Sequence, residues 1–98
     1  MATKRKAKLE YVVVRTYSAG VHVGYLVSHK GPEVVLKDAR RIWRWEGART
    51  LNEIANGGVG PGSKVSDATA RVTLTGAIEI LLTTAGGKKN LESAQWKA

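Results

Sequence analysis

The chain has 98 residues, with 16 Lys and Arg against 8 Asp and Glu, a formal charge of +8, and no cysteine. A chain of this length holds one domain and buries only about 60–65% of its unfolded surface, so its core is thin and self-association is the remaining way to cover apolar area. Disulfides and thiolate metal sites are excluded, no apolar run approaches the roughly 20 residues that span a bilayer, and the N-terminus lacks the apolar stretch of a secretory signal; the expectation is a cytoplasmic protein without membrane contact.

The charge is unevenly spread. Lys4, Arg5, Lys6 and Lys8 supply half of the excess, so residues 1–9 read as a basic flexible arm, either solvated or able to meet phosphates, and residues 10–98 read as a single small domain.

Glu10 to Tyr17, EYVVVRTY, favours a strand because three valines lie between aromatic and β-branched neighbours. Ser18-Ala19-Gly20 is a turn, with Gly20 free to take a positive φ, and Val21 to Ser28 completes a hairpin. His29 to Pro32 punctuates the chain, and Glu33 to Leu36 extends the meander. Asp38 to Trp45, DARRIWRW, fits either a strand or a helix that would gather Arg40, Arg41 and Arg44; two tryptophans and an isoleucine in four residues favour the strand.

Thr50-Leu51-Asn52-Glu53 matches a capping box, in which the Thr hydroxyl and the Glu carboxylate satisfy the first free amides of a helix ending at Asn56. Gly57 to Ser63, GGVGPGS, reads as a flexible loop, and Val65 as a brief strand. Arg71 to Thr83 is the second large apolar block, with Gly76 as a bulge in its middle. Gly86-Gly87 reads as a break, followed by a helical turn or a tail docked through Leu91 and Trp96. The expected fold is α+β, mostly β: a small antiparallel meander or partly open barrel with one short helix, oligomeric.

Enzymatic chemistry finds little support. His22 and His29 are the only histidines and lack a metal-ligand spacing, Ser18 is not framed by G-x-S-x-G, and GGVGPGSK departs from the phosphate-loop spacing. No catalytic residue, metal site or cofactor is expected. Binding has better candidates: Arg15, Tyr17, Ser18, Ala19, Gly20, Arg40, Arg41, Trp43, Arg44 and Trp45. Guanidinium groups give bidentate donors to phosphate, aromatic faces stack on a base, and a tight turn presents amides to an anion. The tryptophans serve equally well as core or interface, and Arg15, which interrupts an apolar strand, needs water, a carboxylate or a ligand.

The stretches RTYSAGVHVGYLVS at 15–28, VVLKDARRIWRWEGARTL at 34–51 and LTGAIEILLTT at 74–84 resemble a family of short phage and prophage proteins of uncharacterised function. Arg44 stands where an aromatic is usual in that pattern and Gly76 where an acid is usual. The resemblance implies a viral accessory protein acting in the infected bacterial host. Small phage proteins commonly bind a host component, and one such strategy is sequestration of a nucleotide-type immune signal. The expected function is therefore capture of a phosphate-bearing small molecule, without turnover, by a homo-oligomer in which Arg15, Arg40, Arg41 and Arg44 meet around a common hollow as charge donors. A nucleic-acid-binding protein using the N-terminal arm, and a protein-binding inhibitor or structural phage component, are the alternatives.

Overall fold

The computed structural model describes residues 9–94. The basic arm therefore lies outside the described residues except for Leu9, as does Trp96 of the closing segment. Three strands form the expected meander: β1 (Tyr11–Thr16), β2 (Val21–Lys30) and β3 (Glu33–Arg44), each antiparallel to the next. β4 (Lys64–Val65) and β5 (Thr69–Leu74) share the outer edge of β3, while β6 (Ala77–Leu82) pairs with the far side of β1. The result is one sheet of six antiparallel strands, and two short helices, α1 (Leu51–Gly57) and α2 (Ala85–Ser93), pack on one of its faces.

β1 is apolar without alternation because it is covered on both sides. Val12, Val13 and Val14 are all fully buried. Tyr11 and Val13 join Val23 and Ile42 under Ile54 of α1 and Leu91 of α2, while Val12 and Val14 pack on the other face with Val34, Leu36 and Leu74. A fully buried valine or leucine contributes about 1.5–3 kcal/mol, so this strand is the hub of both clusters.

The second apolar block is two strands rather than one. Residues 75 and 76 join β5 to β6, yet β5 lies against β3 and β6 against β1, at opposite edges of the sheet. So short a link between opposite edges requires the sheet to curl strongly, without closing into a barrel by hydrogen bonds. Gly76 therefore sits at a corner, where its carbonyl accepts from the Tyr17 amide at 2.8 Å, and the irregularity of the β1–β6 ladder falls beyond it, between Arg15 and Thr16.

β3 settles the ambiguous segment as strand through Arg44. It bulges at Asp38, whose φ is 52°, opposite Gly24. A Cβ on Gly24 would lie 3.1 Å from both the Ala39 Cα and the Lys37 carbonyl, so the bulge needs glycine there.

Two helices are present where one was expected. Gly86 and Gly87, read from the sequence as a break, lie in the first turn of α2, which Thr84 caps by accepting from the Gly87 amide at 3.0 Å. Gly87 is there because the helices approach closely: a Cβ would collide with the Ala55 carbonyl of α1. Among the described residues no helix is long and apolar enough to cross a membrane.

Candidate ligand-binding site

Arg15 is exposed at the end of β1, opposite Val21 on β2 and Glu79 on β6. Its row of the sheet continues to Ile42, which packs in the helix-covered cluster, so Arg15 emerges beside α1. The segment between β3 and α1 passes over the same region. Together they border an open cleft of about 450 Å3 lined by Arg15, Val21, Trp45, Arg49, Thr50, Leu51, Asn52 and Glu79. Its volume falls within the roughly 300–1,000 Å3 of small-molecule sites.

Trp45 is half-buried because it packs on the cluster under α1, which leaves part of the indole available to the pocket. Arg49 precedes the helix cap. Its Nε and Nη2 donate to Glu53 Oε2 at 3.1 and 2.9 Å, and its amide donates to Glu53 Oε1. Thr50 caps the helix as expected, its Oγ1 accepting from the Glu53 amide at 3.4 Å, but the return bond of the box is displaced by one residue: Glu53 closes on Arg49 rather than on Thr50. The backbone and guanidinium bonds from Arg49 hold the Glu53 carboxyl below its usual range, and the Glu53 bond holds the guanidinium above its own. Arg15 takes part in neither the Arg44–Glu46 nor the Arg49–Glu53 ion pair.

The other sequence candidates are dispersed. Arg40 is tied to main-chain carbonyls: Nε donates to Ser66 at 2.7 Å, Nη1 to Leu91 at 2.7 Å and Glu92 at 3.0 Å, and Nη2 to Ala94. Arg41 donates from Nε to His22 Nε2 at 3.2 Å, and the two are cross-strand neighbours of Val14. That row belongs to the sheet face away from the helices. Arg44 meets Glu46 at 3.7 Å. None of these three lines the pocket that holds Arg15 and Trp45, so the expected meeting of the four arginines around one hollow does not occur: Arg40 is drawn to the end of α2, Arg41 to the opposite face and Arg44 to Glu46. Tyr17 is 85% exposed and Trp43 62% exposed. In the 18–20 turn the Ala19 amide is already used, donating to Thr16 Oγ1 at 2.8 Å, while that hydroxyl donates to the Gly20 carbonyl.

Sequence reasoning named Arg15 and Trp45 but not Arg49, Thr50, Asn52 or Glu79. Thr50 and Asn52 carried a signal, the cap motif, which marks where an exposed chain end turns into a helix; Arg49, just before it, carried none. Glu79 carried none, because its place opposite Arg15 depends on which strand β6 pairs with.

A family model for a domain of unknown function, DUF6948, matches residues 9–91. The chain belongs to that family. No curated protein and no solved structure matches it. Every residue lining the pocket falls inside the matched DUF6948 span, whereas the basic residues before Leu9 fall outside it. No group of three or more His, Asp or Glu side chains among the described residues of this DUF6948 domain is placed to hold a metal ion.

Proposed function

We propose that this protein captures a phosphate-bearing small molecule of the nucleotide type in the pocket beside Arg15, without turnover, and that it works as a homo-oligomer. The observation that carries the reading is one cleft in which the guanidinium of Arg15 and the half-buried indole of Trp45 face the same volume. A guanidinium offers paired donors to phosphate, and an indole face stacks on a base. Arg49 adds a second guanidinium at the rim. Glu79 and Glu53 offset part of this positive charge, which favours a ligand carrying hydroxyl donors as well as phosphate over a bare anion. Ribose phosphates meet both requirements.

The resemblance to short phage proteins extends the reading to a viral accessory protein that sequesters a nucleotide-type immune signal in the cytoplasm of the infected bacterial host. Calorimetry with a panel of cyclic dinucleotides and ADP-ribose derivatives tests it. Micromolar or tighter binding of one member is expected, weakened at least tenfold by Arg15→Ala and by Trp45→Ala. Absence of heat for the whole panel at micromolar protein overturns it.

A nucleic-acid-binding reading rests on different residues. Trp43, 62% exposed and next to Arg44, and Tyr17, 85% exposed, are outward aromatics on a chain of formal charge +8, parts suited to stacking on single strands. It predicts binding that falls steeply with salt and with deletion of residues 1–9.

A further inference from the structure

β6 is an edge strand with the composition of an interior one. Its inner side pairs with β1, and among the described residues its other side pairs with no strand. Unpaired strand edges are normally blunted by lysine, proline or a covering element. β6 reads AIEILL and has neither residue, and the β2–β3 turn meets this edge at its start, where the Ala77 amide donates to the Pro32 carbonyl at 3.0 Å, leaving Ile78 to Leu82 for a partner strand. Ile78 and Leu82 are 58% and 60% exposed, and Ile80 between them is half-buried. Charge selects what fits such an edge. Every other strand from β1 to β5 carries at least one Lys or Arg, whereas β6 carries none. For two copies of a chain with a formal charge of +8, this edge is therefore where mutual repulsion is least.

We infer that β6 pairs with β6 of a second copy, antiparallel about a two-fold axis at Ile80, so that Ile78 lies opposite Leu82 of the partner subunit. The inference rests on the homo-oligomer proposed above and assigns its surface. This register sets the two exposed apolar residues against each other twice. It also places Glu79 beside Leu81 of the partner subunit, which puts the second copy at the rim of the pocket that Glu79 shares with Arg15. Two six-residue strands make a contact at or below the small end of the about 1,200–2,000 Å2 of stable interfaces. The dimer is therefore expected to dissociate in the micromolar range.

The absence of cysteine makes the register directly testable. In the full chain, the double variant Ile78→Cys and Leu82→Cys should cross-link into a covalent dimer under mild oxidant. The two positions are about 13 Å apart along one strand, too far to bridge within a chain. Sedimentation of the wild type should show mass rising with concentration toward twice the monomer, and Leu82→Lys should weaken this association at least tenfold. A wild type monomeric at every concentration overturns both the oligomer and its surface. Association that persists in Leu82→Lys, with no cross-linking of the cysteine variant, overturns the β6 surface alone. Nucleotide calorimetry on Leu82→Lys reads the pocket separately.

Discussion

Arg40, in the middle of the sheet, donates from Nη1 to the carbonyl of Leu91 at 2.7 Å and so closes the end of a helix that lies 51 residues further along the chain. The last turn of α2 contains no basic residue of its own. A helix C-terminus leaves carbonyls unsatisfied and carries partial negative charge, so a guanidinium brought from β3 supplies both the donors and the compensating charge. The same fork reaches Glu92, Ala94 and Ser66.

Arg40→Met should therefore destabilise the fold by about 2–4 kcal/mol in urea unfolding, because several part-buried carbonyls lose a charged donor together. Arg40→Lys should recover less than half of the loss, since a single ammonium cannot reach three directions at once. A loss below 1 kcal/mol for the Met variant would show that water replaces the guanidinium at little cost.

The two adjacent glycines of α2 should respond with opposite signs. Gly87→Ala gains helix propensity of up to about 1 kcal/mol but drives a methyl group into the Ala55 carbonyl, and overpacking of that kind costs about 1–3 kcal/mol. Gly86→Ala gains the same propensity into open space, its nearest neighbour being Thr84 Oγ1 at 4.0 Å. Thermal melts should show Gly87→Ala lowered and Gly86→Ala unchanged or raised. Equal shifts would mean that the helices can slide apart.

That contrast also shows what the sequence does and does not disclose. The meander was legible because YVVVRT and its successors combine β-branched runs with glycine turns, and the Thr50 cap was legible because its signal is local. Gly86-Gly87 misled because a glycine pair ordinarily stops a helix, and only the distance to Ala55 explains why one of them is needed inside it. The β5–β6 corner stayed hidden for a related reason: an unbroken apolar block does not record that its halves belong to opposite edges. At the candidate site, Arg15 was conspicuous as a charge inside an apolar strand. Arg40 was named only with its neighbours Arg41 and Arg44, and its engagement with α2 depends on a helix that the glycine pair had concealed.

The glycine-rich loop is fastened more firmly than its composition suggests. Asn90 Oδ1 accepts from the Val59 amide at 2.9 Å while its Nδ2 donates to the Val59 carbonyl at 3.1 Å, and the Gly60 amide donates to Glu46 at 2.6 Å. Asn90→Asp keeps the acceptor and removes the donor, leaving a part-buried carbonyl unpaired. A loss of about 1–3 kcal/mol is expected, with faster amide exchange at Val59 and its neighbours. Unchanged exchange at Val59 would show that the Gly60–Glu46 bond alone holds the loop.

His22 gives the fold a pH dependence whose sign can be worked out. It is 2% exposed, its Nε2 accepts from Arg41, and its Nδ1 is buried without a partner among the described residues. Burial first, and the Arg41 charge second, lower its pKa from the ordinary 6.5. A base whose folded pKa is depressed is protonated more readily in the unfolded chain, so unfolding takes up a proton once the pH drops below the unfolded value. Its stabilising contribution is complete above about pH 6.5 and is lost progressively below it, with a slope of at most about 1.4 kcal/mol per pH unit for one proton. His22→Leu should abolish this slope between about pH 6.5 and 5 at little cost in stability at neutral pH. It removes an unpaired buried N–H and returns the Arg41 Nε to water, which the exposed position of Arg41 permits. Denaturation midpoints of the two proteins measured across that range decide the matter. Parallel curves would show that His22 contributes no pH dependence across that range.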